Sequence, residues 1–218
     1  MKDELALIFA NGELTHPEAV RELARNAKLI IAADGGLAHV QSLGLKPNLI
    51  VGDLDSVTPD QVRWAEEQGC EIRRFPVDKD ETDLELALRA AEEWGCKNVI
   101  ITAALGGRLD QTLSNIFLMN LPRLSEIELR IDEGDQEVIL ILQSIEVTGK
   151  AGDTVSLLPL SPIVRGITTS GLKYPLIDES LVFFQSRGIS NRMLSNSAKI
   201  QIQSGILLCI HTRSEVEK

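Results

Sequence analysis

The 218-residue sequence predicts two architectures in succession, a mainly parallel, Rossmann-like α/β domain and then an antiparallel β-sandwich. Three observations carry that expectation. Up to about Leu121, short apolar runs alternate with stretches of helical periodicity, as in a parallel sheet covered by helices. After Leu121-Pro122 the helical rhythm stops, and β-branched runs separated by Gly, Asp, Ser and Pro take over, as in antiparallel sheets. No apolar run approaches the roughly 20 residues of a membrane-spanning helix. The division is expected near residues 122–125, giving domains 1–122 and 123–218.

In the first domain LALIFA (5–10), LIIAA (29–33), LIV (49–51), EIRRF (71–75) and NVIITAAL (98–105) read as strands. PEAVRELARN, PDQVRWAEEQG and TDLELALRAAEEWG read as helices, because their apolar residues recur three and four apart. Pro59 and Thr82 suit helix starts, and Gly69 and Gly95 suit helix ends. In the second domain IELRI, EVILI, SIEVTG, DTVSLLPL, SLVFF and KIQIQSGILLCIH read as antiparallel strands, and RSEVEK as a polar tail.

Composition excludes some partners. With 22 Lys+Arg against 32 Asp+Glu, the net charge of -10 argues against a nucleic-acid or anionic-membrane surface, since both need positive potential. Cys70, Cys96 and Cys209 form no CxxC pair, so they are expected to be reduced packing residues rather than a disulfide framework or a zinc site. The N-terminus lacks a basic stretch followed by an apolar one, so no signal peptide is expected and the predicted location is cytoplasmic.

In open parallel sheets ligands bind beyond the carboxyl ends of the strands. Four such ends carry unusual residues: Asp34-Gly35-Gly36, then Gly52-Asp53-Leu54-Asp55-Ser56, then 76–83, then Gly106-Gly107-Arg108-Leu109-Asp110. Each alone has an ordinary explanation as a turn, a helix cap or a solvated acidic face. Together, however, they bring Asp53, Asp55, Asp78, Asp80, Glu81, Asp83 and Asp110 to one edge, where the charges would repel one another. A hard divalent cation such as Mg2+ resolves that conflict, binding a few carboxylates plus substrate phosphates. Glycine-rich backbone and helix N-termini suit phosphate, and Lys79 and Arg108 are its natural charge partners. No GxxxxGK[ST] sequence is present, so a P-loop is excluded.

Taken in order, ADGG (33–36), GDLDS (52–56), DKDETD (78–83), GGRLDQ (106–111), TTSGLKYPL (168–176) and SRGISN (186–191) resemble the thiamine pyrophosphokinase (thiamine diphosphokinase) family. The resemblance spans nearly the whole chain. It implies an N-terminal α/β domain that binds ATP and Mg2+, a C-terminal sandwich that binds thiamine, and a homodimer with thiamine near the subunit interface. The implied reaction is ATP + thiamine → AMP + thiamine diphosphate. By this resemblance Asp53, Asp55 and Asp83 hold Mg2+, and with Asp110 and Arg108 they surround the transferred group. Asp34, Gly35, Gly36, Lys79, Thr82, Gly106, Gly107 and Arg108 match ATP-binding positions, while Gln111, Tyr174, Ser190 and Asn191 match substrate-contacting ones. Gln111 stands where many relatives carry His, and Tyr174 where some carry Trp. Tyr174 is the chain's sole tyrosine; on sequence alone it reads as a packing residue, and the resemblance makes it a stacking partner for thiamine.

Two other classes compete. A metal-dependent phosphatase also begins its site with DxD after a strand, but leaves the GGRLD loop and the second-domain segments unexplained. A non-catalytic nucleotide- or thiamine-binding protein would keep the pockets without needing so dense a set of acids.

Overall fold

The computed structural model describes residues 5–121, 124 and 126–214, and the chain divides into two compact units, Met1–Gly134 and Asp135–Lys218. The first contains β1 (Leu5–Phe9), α1 (Pro17–Asn26), β2 (Leu29–Ala33), α2 (Gly36–Ser42), β3 (Leu49–Gly52), α3 (Pro59–Glu67), β4 (Glu71–Arg74), α4 (Asp83–Glu93), β5 (Asn98–Thr102), α5 (Leu109–Leu118) and β6 (Glu128–Asp132). Its strands lie in the order β6-β5-β1-β2-β3-β4, and every pairing among them is parallel. After the first residue, β1, β2 and β5 are buried at every position, and β3 is buried throughout. Such strands have both faces covered. Helix α1 packs on β1, α2 on β1 and β2, and α4 on β1, β2 and β3.

Helix starts follow the expected chemistry. Thr58 caps α3 through a reciprocal bond pair with Gln61, and the Thr82 side chain accepts from Glu85 N at the start of α4. Helices α2 and α5 were not among the expected elements; each begins inside a motif (Gly36; Leu109) whose residues read as a loop.

IELRI, expected among antiparallel strands, instead forms β6 and pairs parallel with β5, with Asn98 opposite Glu128. The run follows a strand and a helix, and that β5-α5-β6 crossover delivers it parallel. Its Glu128 and Arg130 alternate with the buried Leu129 and Ile131, so one face of the strand is less covered than the other. The residues Pro122, Arg123 and Ser125 at the expected division lie outside the described residues, as do 215–218 of the expected tail. The beginning of that tail is held in place, with Arg213 N donating to Asp135 O and Ser214 donating twice to Asp153 Oδ1.

The second unit contains β7 (Gln136–Ile141), β8 (Ser144–Thr148), β9 (Thr154–Pro159), β10 (Ile163–Ser170), β11 (Glu179–Val182), β12 (Asn191–Arg192), β13 (Ser197–Gln201) and β14 (Leu207–Thr212). Its strands run β12-β9-β14-β7 in one sheet and β11-β10-β13-β8 in the other, all antiparallel. Buried Val155, Leu157 and Cys209 from one sheet and Val164, Ile167 and Ile200 from the other belong to one core cluster, which makes the unit a sandwich. The expected strand KIQIQSGILLCIH is two strands, β13 and β14, broken at residues 202–206. No helix among the described residues is long and apolar enough to cross a membrane.

His211, fully buried on β14, joins three segments of this unit. Its Nδ1 lies 2.9 Å from Glu137 Oε1 and its Nε2 lies 2.8 Å from Asp153 Oδ2. Burial pulls the imidazole down, but the two carboxylates outweigh it and hold the His211 pKa above the ordinary value. Burial likewise pushes Asp153 up, yet the donors of Ser214, His211 and Lys150 hold it well below the usual carboxylate range.

Candidate active site

In the first unit the strand order turns back between β1 and β5, the place where open parallel sheets form a crevice at their carboxyl edge. A cleft of about 540 Å³ lies there, walled by the segments that follow β1, β2 and β5 and by the start of α4. Three strand ends of the sheet bend through left-handed backbone at residues other than glycine: Asp34 after β2 (φ 46) and Ala103 after β5 (φ 52), both beside the cleft, and Leu54 after β3 (φ 65). Such conformations persist only where surrounding contacts enforce them, and they concentrate at functional sites.

The strained turn at Asp34 brings its carboxylate, 5% exposed, together with those of Asp53 and Asp83. One ligand atom from each lies within 4.8 Å of the other two. Asp34 Oδ1 and Asp83 Oδ1 are buried without a hydrogen-bond partner. Lys79 Nζ forms ion pairs with Asp83 Oδ1 (3.1 Å) and Asp53 Oδ2 (3.7 Å). Burial pushes the Asp83 carboxyl above its ordinary pKa, opposed by Lys79 and reinforced by Asp53 and Asp34. Hard oxygen donors with orphaned lone pairs, converging beside a cleft, fit a Mg2+-sized cation.

The remaining expected residues divide. Gly35 and Gly36 owe their lack of a side chain to packing: a Cβ on Gly36 would stand 2.1 Å from Phe9 O, and one on Gly35 2.3 Å from Asn11 Oδ1. Lys79, Thr82, Gly106, Gly107, Arg108 and Gln111 line the cleft. Asp55 is exposed and outside the carboxylate trio; its N–H donates to Asp53 Oδ1, and its Oδ1 accepts from Ser56 Oγ. Asp110 also lies outside the trio, in a two-bond pair with Arg108 (3.1 and 2.7 Å) at the start of α5. That pairing holds Asp110 below its ordinary pKa. Asp78 and Asp80 are exposed, and Glu81 pairs with Arg89.

The second unit carries Tyr174, Ser190 and Asn191. The Tyr174 side chain is 61% exposed, with Lys173 Nζ 5.4 Å from its ring centre. Asn191 is buried, and its side chain clamps the Tyr174 main chain: Oδ1 accepts from Tyr174 N (3.0 Å) and Nδ2 donates to Tyr174 O (2.7 Å). It therefore fixes the tyrosine's position instead of presenting a free amide. Ser190 sits in left-handed backbone (φ 60), its N–H donating to Ser156 Oγ.

Four residues of the cleft wall were not singled out from the sequence. Asn11, Gly12 and Glu13 follow β1 and line it, as does Asn115 of α5. The strand-end rule could have flagged Asn11-Gly12, which passes for an ordinary turn pair. Glu133, whose carboxylate accepts from Ala103 N, Ala104 N and Leu105 N behind that wall, gave no signal, because the run before it looked like a sandwich strand.

The comparisons with known proteins cover both units. The model described as "Thiamin pyrophosphokinase, catalytic domain" matches residues 20–131, and "Thiamin pyrophosphokinase, vitamin B1 binding domain" matches residues 142–207. The protein named thiamine pyrophosphokinase 3 of Oryza sativa subsp. japonica is 31% identical over 229 residues, covering 91% of this chain and 83% of that one. The thiamine pyrophosphokinase of Bacillus subtilis (strain 168) is 27% identical over 186 residues, covering 84% of this chain and 87% of its own. In fold, the crystal structure of thiamine pyrophosphokinase from Bacillus subtilis superposes with a TM-score of 0.87 at 24% identity, covering 97% of this chain and 100% of that one. The enzyme from Candida albicans gives 0.81 at 20% identity, with 97% and 90% covered.

Proposed function

The chain belongs to the thiamine pyrophosphokinase family, and on that premise we propose that it transfers the β,γ-diphosphoryl group of ATP to the hydroxyl of thiamine, giving thiamine diphosphate and AMP. The observation that carries this reading is the trio of Asp34, Asp53 and Asp83, with its orphaned buried oxygens, at the mouth of the switch-point cleft. The first unit binds ATP and Mg2+, and the second binds thiamine.

Asp53, Asp55 and Asp83 are the proposed metal ligands, and the trio adds Asp34 to them. Bound there, Mg2+ neutralises polyphosphate charge. Much of the catalysis in such transfers is positioning and charge stabilisation. Lys79, held between Asp53 and Asp83, supplies a cation to the phosphates, and Arg108 on the cleft wall stabilises charge on the diphosphate as AMP leaves. Gly106 and Gly107, both at positive φ, shape that wall beside the nucleotide. Thr82 caps α4 and so aims its N-terminus, with Asp83, at the cleft. Asp110 orients the attacking hydroxyl; because Arg108 keeps it ionised, it serves as an acceptor rather than a strong base. Gln111 in the first unit and Tyr174, Ser190 and Asn191 in the second are each proposed thiamine contacts, Tyr174 by stacking on the cationic ring and Asn191 by holding Tyr174.

A homodimer in the cytoplasm completes the proposal, with thiamine near the subunit interface. Its support is apolar surface exposed in each unit: Leu109, Leu113 and Phe117 along one stripe of α5, and Phe183 and Phe184 in the sandwich. Mixing the protein with thiamine, ATP and Mg2+ and following products by mass spectrometry tests the reaction. AMP and thiamine diphosphate are expected; inorganic phosphate without AMP would instead favour a phosphatase.

A further inference from the structure

Glu133 follows β6 in the first unit and is only 5% exposed. Its carboxylate faces the chain leaving β5. Oε2 accepts from Ala103 N (2.8 Å), and Oε1 accepts from both Ala104 N (2.8 Å) and Leu105 N (3.1 Å). Successive N–H groups converging on one anion form the kind of nest that elsewhere binds phosphate. Here the anion belongs to the chain itself. The same loop is fixed from other sides: Gly12 N donates to Ala103 O (2.7 Å), and Asn115 Nδ2 donates to Ala104 O (2.8 Å).

Two things follow. The amides of residues 103–105 are spent internally, so they cannot receive a nucleotide phosphate. The donors of this wall must come from just beyond, at Gly106, Gly107 and Arg108. We propose that Glu133 is a positioning residue for the transfer reaction: it anchors the β5–α5 loop so that Gly106, Gly107 and Arg108 meet ATP, without touching ATP itself. This inference rests on the ATP reading of the cleft.

Glu133→Gln tests it. The amide keeps the shape and one acceptor oxygen, but turns an NH2 group toward an N–H that needs an acceptor. It is compared with wild type and with Val20→Ala, a core variant of the same unit, at a temperature where circular dichroism finds all three folded. For Glu133→Gln, kcat is expected to fall about tenfold and the ATP KM to rise several-fold, with the thiamine KM unchanged within about twofold. Amide hydrogen exchange at residues 103–105 is expected to quicken in the ligand-free protein. Val20→Ala should show neither effect. Wild-type kinetics in Glu133→Gln, unchanged exchange at those amides, or the same kinetic losses in Val20→Ala would each overturn the positioning role. If Glu133→Gln does not fold, Glu133→Asp, which draws the carboxylate back from the same amides, is judged by the same criteria. A wild-type protein that makes no thiamine diphosphate would overturn the proposed function and this inference together, whereas an active wild type matched by an equally active Glu133→Gln would overturn this inference alone.

Discussion

Asp34, Asp53 and Asp83 come from three separate strand ends or helix starts, and their value lies in meeting. Asp53→Asn and Asp83→Asn are each expected to lower kcat by at least about 100-fold while the protein stays folded, read from AMP release across a magnesium titration. Near-normal turnover in either variant would remove that residue from the ligand set. On the thiamine side, Tyr174→Ala should raise the thiamine KM roughly 3- to 30-fold and leave the ATP KM alone, in keeping with a cation–π contact. Asn191→Ala should reproduce that pattern, because it frees the main chain on which Tyr174 is mounted. The acids at residues 53 and 83 stood out in the sequence because several acid-bearing loops follow strands whose carboxyl ends share one sheet edge. The clustering of Asp34 with them was less legible, since it depends on a left-handed turn that Asp-Gly-Gly allows but does not dictate. Asn191 could be read only as polar; its partner is 17 residues away, and only the fold brings the two together.

At the level of elements, the periodic helices and fully apolar strands of the first unit were readable, because burial on two faces leaves a strong pattern. Helices α2 and α5 escaped because they begin within motifs rich in glycine and acids. The start of α2 is also the most tightly fitted. Gly36→Ala would drive a methyl into Phe9 O, with an expected cost of at least about 2 kcal/mol, measurable as a lower denaturant midpoint. In the sandwich, the junction of β14, β7 and β9 depends on His211 and its two carboxylates. Because the folded His211 pKa is raised, its stabilisation is full below its unfolded value near 6.5 and is lost as pH climbs through the folded value. The depressed Asp153 acts in the opposite sense: its contribution is present above about pH 4 and declines as pH falls further. This group should therefore stabilise the sandwich most between about pH 4 and 6.5. In His211→Ala, thermal melts should lose that alkaline-side decline, along with roughly 3–5 kcal/mol of stability, because Asp153 and Glu137 lose the imidazolium between them while Glu137 keeps Arg213. A variant whose melting temperature keeps the wild-type pH dependence would place its origin elsewhere.

For the whole molecule, the change from alternating helices and strands to strands alone was plain in the sequence, and both architectures followed from it. The assignment of β6 did not follow, because a strand with charged and apolar residues alternating looks the same in either kind of sheet. The exposed stripe on α5 carries a prediction for assembly. Leu113→Asp with Phe117→Asp should leave each protomer folded by circular dichroism, since both side chains are exposed in the single chain. Sedimentation should nevertheless report a monomer, and a dimer that survives the pair would move the interface elsewhere. The pairing of Glu133 with residues 103–105 also bears on the order in which a ribosome finishes the protein. The catalytic loop emerges some thirty residues before the carboxylate that fastens it, a delay of a few seconds at roughly 5–20 residues per second. During that interval the amides of residues 103–105 lack the carboxylate that orders them, so the loop takes its final shape only when the last strand of the parallel sheet has been delivered.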